Sequence, residues 1–555
     1  MTDPANPAQL RRHYEIRSDP RWAAKWRQEG VWQDHPIGSE FARFCLAHRT
    51  ELLLVDGSHR LTFGDFDHLV TTLASALQAR DIEPGDTVAF QLPSWWEALV
   101  ITHAAFRLGA VITPIAPNLR AHELSYILQA ASPKASFFPE HFRGARWSEI
   151  LSGLGLDETR IFGVRGSLGG QSLDALLDHA SGRLEEVVVD PLTAALLLFT
   201  SGSTSSPKGV LHGHNGLLAE AYSLQGTHEI TGHDVMLMPY PITHIGGFSY
   251  GALLPFVSGL TVVLLDIWEP TTALALMEQE GVTFLSAVPT VIDSLLASEA
   301  FRPKAVDSVR LITMGGTRVT GASVIDAARD FGCVCKRGYG MTEMPTFTST
   351  PADPDPSRWA ASDGLPTGLS QIRVVDDDGH AVPVGQSGEI LAQGPELFVG
   401  YLDPGLDEEA FTNDGWFRTG DLGTLDHRGA VRIDGRKKDI IIRNGENISA
   451  SEVEELLLGH PAVHDVAVVA VSDPDVGERA CAVVVSADTF TLRDMTQFLE
   501  EAALARFKHP ELLVLRDELP MTPNGKIRKD LLRSELNSKG AESGTSTVAT
   551  AHAAD

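Results

Sequence analysis

Thr200-Ser201-Gly202-Ser203-Thr204-Ser205-Ser206-Pro207-Lys208-Gly209 follows directly on the apolar run Ala194 to Phe199. The ten residues hold six hydroxyl side chains, two glycines and one lysine. A buried strand feeding a hydroxyl-rich, glycine-hinged loop presents backbone N–H groups and hydroxyls to phosphate oxygens, and the lysine adds a point charge for the same anion. Gly202 to Lys208 has the wrong spacing for the common G-x-x-x-x-G-K-[ST] loop. The competing explanation is a polar surface loop between a strand and a helix.

Around this loop, apolar runs of strand length alternate with helical stretches: Thr87 to Leu92, Leu192 to Phe199, Leu260 to Leu265 and Val309 to Met314. Such interleaving predicts an α/β fold with parallel-sheet layers over most of the first 430 residues or so. From about Leu369 shorter strands with turn signals take over (Gln371 to Val375, Asp376-Asp377-Asp378-Gly379, Gly388 to Ala392), which predicts a small β-rich, barrel-like subdomain. A break at Asp434-Gly435-Arg436-Lys437-Lys438-Asp439 precedes a compact α+β unit. In that unit Ser451-Glu452-Val453-Glu454 reads as a capping box, and strands are expected at Val466 to Val471 and Ala480 to Val485. A helix should then bury Leu492, Met495, Phe498, Leu499 and Ala502 on one face. The expected division is an N-terminal domain over 1–434, a hinge at 435–439, a small mobile C-terminal domain over 440–536 and a Ser/Thr/Ala/Gly-rich disordered tail over 537–555.

Bulk properties narrow the function. A chain of 555 residues is too long for one core. With 45 basic against 73 acidic residues, its net charge of -28 repels nucleic acid and anionic membranes. Any anionic ligand must therefore be held by locally assembled cations. The four cysteines (Cys45, Cys333, Cys335, Cys481) read as reduced thiols, and Cys333 and Cys335 share one face of an expected strand. Met1 to Gly38 is charged and Trp-rich without the apolar core of a leader, and Ala252 to Ile267 is broken by Pro255, Gly259 and Asp266. A soluble, cytoplasmic protein without integral membrane contact is expected.

The opening loop has companions in chain order: Gly338-Tyr339-Gly340-Met341-Thr342-Glu343, Gly415-Trp416-Phe417-Arg418-Thr419-Gly420-Asp421, Gly435-Arg436-Lys437-Lys438-Asp439, and Pro520-Met521-Thr522-Pro523-Asn524-Gly525-Lys526. Together they resemble the acyl- and aryl-adenylating superfamily, which holds acyl-CoA synthetases, luciferases and the adenylation domains of peptide synthetases. Each motif also suits the chemistry. Activating a carboxylate through ATP requires holding the nucleotide, aiming the acid at the α-phosphate and neutralising charge as the phosphorus is attacked. Tyr339 offers a ring for adenine, Thr342 a donor to phosphate, and Glu343 a hard oxygen ligand for Mg2+. Asp421 can accept from ribose hydroxyls and Arg436 can donate to the sugar.

The resemblance implies a nucleotide site drawn from Thr200, Ser201, Gly202, Ser203, Thr204, Lys208, Gly315, Gly316, Thr317, Tyr339, Gly340, Met341, Thr342, Asp421, Arg436 and Lys526. It places Mg2+ at Thr204 and Glu343, and makes Lys526, His244, Thr342 and Glu343 the catalytic set. It further implies an acyl pocket at His244, Gly246, Gly247, Gly340 and Met344, a hinge at Lys438, and a thiol-acceptor passage at Gly445 and Glu446.

Within Pro239 to Phe248 no acid stands near His244, where amino-acid-activating relatives carry an aspartate, so a free amino acid is disfavoured. Glycines and few charges suit an apolar cavity. The style is most similar to cyclohexanecarboxylate and medium-chain acyl-CoA ligases, with aryl-acid ligases close by. The leading expectation is an ATP-dependent acid–CoA ligase taking ATP, Mg2+, CoA and a small medium-chain, alicyclic or aromatic carboxylic acid. An enzyme loading a carrier-protein pantetheine, and a non-catalytic nucleotide or acyl-CoA sensor, are the alternatives; a homodimer is compatible with all three. Two departures bear on efficiency. Ser205 stands where the loop usually has glycine, at a cost of roughly 1–2 kcal/mol if φ is positive. Asn444 replaces a glycine beside Gly445.

Overall fold

The computed structural model describes residues 20–178, 183–200, 207–443, 446–473, 476–486, 490–502, 504–522 and 526–542. Contacts divide the chain into two units, Met1–Ile372 with Ala392–Phe417, and Arg373–Leu391 with Arg418–Asp555.

The first unit is built on two mixed sheets. In one, six strands run parallel: Leu52–Asp56, Thr261–Leu264, Val235–Met238, Phe284–Ala287, Leu311–Met314 and Val334–Met341. Met344–Ser349 then returns antiparallel along the last of them. The other sheet sets Ala194–Thr200 parallel to Val111–Pro114 and on through Thr87–Phe90, Ala135–Pro139 and Ile161–Val164. Its Lys208–Gly213 strand is antiparallel to Ala194–Thr200. The expected strands are thus present, each shortened by two residues, with the one expected over Leu192 to Phe199 extended to Thr200.

One core cluster takes side chains from both sheets (Leu54, Met236 and Val262; Val88, Ile112 and Leu196) and from the helices Phe63–Gln78 and Trp96–Leu108. Val100, Ile101, Ala104, Ala105 and Phe106 of the second helix are all fully buried. This helix is buried on almost every side, its Glu97, Thr102 and His103 included, as suits a helix in such an interior. No helix among the described residues is long and apolar enough to cross a membrane.

The second unit carries a four-stranded sheet in the order Gln371–Val375, Gly388–Gln393, Phe417–Leu425, Val431–Arg436, where a barrel-like subdomain was expected. It also carries a five-stranded sheet in which Val463–Asp473 pairs antiparallel with Gly477–Ser486, and Leu512–Arg516 joins in parallel. The helix Leu492–Glu501 buries Met495 and Leu499.

The phosphate loop links two antiparallel strands, and the next helix starts only at His214. Three expectations need correction. The unit break falls at Phe417/Arg418, so the 373–391 and 418–434 strands group with the C-terminal unit instead of the N-terminal domain. The helix Ala450–Leu458 is capped by Ser449, whose side chain accepts from Glu452 N, and not by Ser451. The last helix, Lys529–Glu542, runs past Asn537, whose Oδ1 accepts from Ser472 N at 2.8 Å, so 537–542 is not a tail. Residues 543–555 lie outside the described set. Cys333 precedes the strand that begins at Val334; all four cysteines are free thiols.

Candidate active site

In the first unit the site is a set of turns at the carboxyl ends of parallel strands, where open α/β sheets place their ligands. Thr200 and Lys208 are register partners, so the loop between them springs from a closed hairpin base. Ser201, Gly202, Ser203 and Thr204 lie outside the described residues. The Lys208 ammonium stands 5.3 Å from the centroid of the Tyr401 ring. Tyr401 is itself paired with Val210.

Val334–Met341 and Met344–Ser349 form a second hairpin, with Met341 opposite Met344. Thr342 and Glu343 are its two-residue turn. The register shifts between Tyr339 and Met341, a bulge at Gly340, and bulges beside ligand sites re-aim side chains. A Cβ at Gly340 would stand 1.8 Å from Pro345 O, so only glycine lets the strands close.

Two contacts pin the turn. His212 Nε2 donates to Thr342 O at 2.7 Å, and Phe398 N donates to Glu343 O at 2.9 Å. Burial pushes the His212 imidazole down to about 4, so it is neutral and the proton on Nε2 is the one donated. The Glu343 carboxylate accepts from Tyr401 Oη at 2.8 Å. That fixes one oxygen. An oxygen-only donor suits the hard cation expected there.

Gly315 and Gly316 leave the Leu311–Met314 strand, and Tyr240 Oη donates to Gly315 O at 3.1 Å. Gly316 has φ +79°, and a Cβ at Gly315 would stand 3.0 Å from Gly338 O, bringing this turn against the Tyr339 strand. Thr317 follows, half-buried.

In the expected acyl region His244 caps the short helix Ile245–Phe248, its Nδ1 accepting from Gly246 N at 3.2 Å. A Cβ at Gly246 would meet nothing nearer than His244 Nδ1 at 3.6 Å, leaving space beside it. At Gly247 the glycine serves packing, since a Cβ there would stand 2.2 Å from Pro241 O. Met344 is fully buried.

The second unit carries the remaining expected residues. Asp421 and Arg436 are register partners joined at 2.6 Å, and Asp421 N donates to Thr419 Oγ1 at 3.0 Å. Asp421 is buried while Arg436 is largely exposed, a carboxylate held in place with its cation beside it. Lys437 pairs with Asp377 at 3.0 Å and Glu389 at 3.2 Å, whereas Asp439 pairs with Arg533 of the last helix at 3.0 Å. Lys438 sits between these two anchors, its pKa lowered by burial. Lys526 is exposed, and its backbone N donates to Thr522 Oγ1 at 3.0 Å. Glu446 opens the strand Glu446–Ser449, and Gly445 and Asn444 lie outside the described residues.

Sequence reasoning missed His212 and Tyr401. Neither stands in a recognised motif; strand pairing alone brings them to Thr342 and Glu343.

A family model described as AMP-binding enzyme matches residues 41–402, and one described as AMP-binding enzyme C-terminal domain matches residues 452–526. The chain belongs to the AMP-binding enzyme family. This AMP-binding enzyme is 36% identical over 530 residues to a medium-chain fatty-acid–CoA ligase of Escherichia coli (strain K12), covering 92% of each chain. It is 33% identical over 544 residues to a salicylyl-CoA synthase / salicylate adenylyltransferase of a Streptomyces species, covering 94% of this chain and 97% of the relative. Among solved structures it is similar to ATP-bound MatB from Rhodopseudomonas palustris, with a TM-score of 0.81, 28% identity, and coverage of 90% of this chain and 99% of the other. It is an adenylate-forming acid–thiol ligase, the class whose usual substrates and cofactors are ATP, Mg2+ and CoA.

Proposed function

We propose that the protein couples a medium-chain, alicyclic or aromatic carboxylic acid to CoA through an acyl-adenylate, releasing pyrophosphate and then AMP. The observation that carries this is the pinned Thr342–Glu343 turn, with Tyr401 tying Glu343 to the strand of Lys208. Such a turn holds a phosphate donor, a metal-binding carboxylate and a cation in one frame, which is the preorganisation an in-line attack on the α-phosphate needs.

In the first step Lys208 and Thr342 bind phosphate oxygens, Tyr339 stacks on adenine, and Asp421 with Arg436 holds the ribose. Bound Mg2+ supplies charge neutralisation on the phosphates, and Glu343 with Thr204 are the residues that would hold it. Lys526 positions the attacking carboxylate and the α-phosphate. His244 stands at the acid's entry. In the second step the backbone turns at Lys438, and a thiol passes Gly445 beside Glu446. The anchoring of Lys437 and Asp439 to different elements supports a hinge between them, since few residues are left to absorb the change. The free thiols fit a reducing cytoplasm.

Acid-dependent exchange of radiolabelled pyrophosphate into ATP, without thiol, tests the first step. Mass detection of an acyl-CoA after adding CoA tests the second. Exchange without acyl-CoA, but with acyl transfer to a pantetheinylated carrier protein, would favour carrier loading, a reading encouraged by the relative named as a salicylate adenylyltransferase. No exchange with any acid would leave a nucleotide-binding sensor, against which the presence of Lys526, Glu343 and Asp421 together speaks.

A further inference from the structure

Behind the Thr342–Glu343 turn lie buried polar side chains that none of these roles uses. Glu220, midway along the His214–His228 helix, is fully buried. Its Oε1 accepts from Thr346 Oγ1 at 2.7 Å, and among the described residues its Oε2 has no hydrogen-bond partner. Ser249, 1% exposed, lies beside the same carboxyl, and its Oγ also lacks a hydrogen-bonded partner among the described residues. Leaving a buried polar group unsatisfied costs about 1–3 kcal/mol, so two together call for something to bind.

The two elements already assigned to the acid lead to this group. Ser249 directly follows the helix that starts after His244 and carries Gly246. Thr346 lies two residues beyond Met344 on one strand and so shares its face. At about 3.3 Å per residue Thr346 stands roughly 10 Å along the strand from Glu343, the length of a bicyclic ring system or a medium-length chain. Burial, with the charge of Glu396 adding to it, pushes the Glu220 carboxyl up to about 8. At neutral pH it is therefore a neutral acid. Since Oε1 accepts from Thr346, Oε2 carries the proton, with the Ser249 hydroxyl beside it and no geometrically formed hydrogen bond to either among the described residues.

We propose that Glu220 and Ser249 form the inner wall of the acyl site and recognise a neutral hydrogen-bonding substituent, a hydroxyl first of all, on the end of the acid remote from its carboxylate. This rests on the acid-ligase reading and narrows its substrate class. A hydroxyl accepts from Glu220 and can exchange a second hydrogen bond with Ser249. An acid lacking it leaves both unpaired, the situation in which enzymes discriminate most strongly.

The test uses acids matched except for one remote hydroxyl, benzoate against hydroxybenzoates and octanoate against 8-hydroxyoctanoate. The expected kcat/KM ratio within the better pair favours the hydroxy acid by about tenfold or more, as one satisfied buried hydrogen bond implies. Glu220→Leu and Ser249→Ala should each bring that ratio towards one, while Glu220→Gln, which keeps a donor, should retain most of it. Calorimetry with the corresponding acyl-sulfamoyl adenosines reads the same preference without turnover. Equal affinities within each pair, or ratios unchanged in both Glu220→Leu and Ser249→Ala, would overturn the inference. Acid-independent silence in pyrophosphate exchange would instead strike the ligase reading, and tight but indiscriminate analogue binding would strike only this one.

Discussion

Tyr401 Oη donates to the Glu343 carboxylate at 2.8 Å while the Tyr401 ring receives the Lys208 ammonium 5.3 Å from its centroid. One aromatic side chain thus sits between the expected metal ligand and the cation of the phosphate loop. Hydrogen bonds to charged groups contribute about 1.5–3 kcal/mol, so Tyr401→Phe should raise the half-saturating Mg2+ concentration by roughly tenfold and lower kcat/KM by a similar factor. A Mg2+ titration of pyrophosphate exchange checks this; an unchanged half-saturating Mg2+ concentration would detach Glu343 from the metal.

Lys526 carries its positive charge at an exposed position. Lys526→Ala should leave the melting temperature unaltered and reduce adenylate formation by about 10²–10³, the usual loss for one positioned donor. Thioester formation from synthetic acyl-adenylate should persist. Equal losses in both half-reactions would remove Lys526 from the adenylation step.

Gly340→Ala would drive a methyl group into Pro345 O at a bulge that has no room for it. The hairpin must open, so ATP affinity should fall at least tenfold and the melting temperature should drop by several degrees, as about 1–3 kcal/mol of overpacking implies. Nucleotide titration and thermal denaturation read the two effects separately.

Glu220 gives a pH signature. Its folded pKa is raised above the unfolded value, so folding retains a proton that the unfolded chain releases above about 4.5. Its contribution to stability is therefore fully present below about 4.5 and is lost as pH rises towards 8. Thr346, Ser249, Tyr250 and Glu396 are the groups that act on it. Glu220→Gln does not titrate, so the melting temperature of the variant minus that of the wild type should increase from pH 5 to pH 8. A flat difference would mean that Glu220 ionises normally.

Local signals explain what the sequence disclosed. The phosphate loop, the Gly338–Glu343 turn and the Asp421–Arg436 pair stand on short stretches whose glycines and hydroxyls have few other uses, and apolar runs marked the parallel strands. Contacts made by distant pairing were hidden. His212 and Tyr401 reach the Thr342–Glu343 turn only because the 208–213 strand lies beside it, and nothing in their own neighbourhood announces this. The unit break was misplaced for a similar reason: it depends on which sheet the 388–393 strand joins.

At the helix start, Ser449-Ala450-Ser451-Glu452-Val453-Glu454 contains two overlapping capping signatures. Tertiary structure chooses between them. Ser449 Oγ also donates to Asp434 O at 2.6 Å, while Glu454 is taken by Val468 N and Lys529, both at 2.6 Å.

The most direct measurement is acid-dependent AMP formation, with and without CoA, across straight-chain, alicyclic and aromatic acids. The account predicts AMP and an acyl-CoA thioester in equal amounts, peaking on one acid class and requiring CoA for continued turnover. ATP consumption that is independent of acid, or AMP release with no thioester on any thiol, would contradict it.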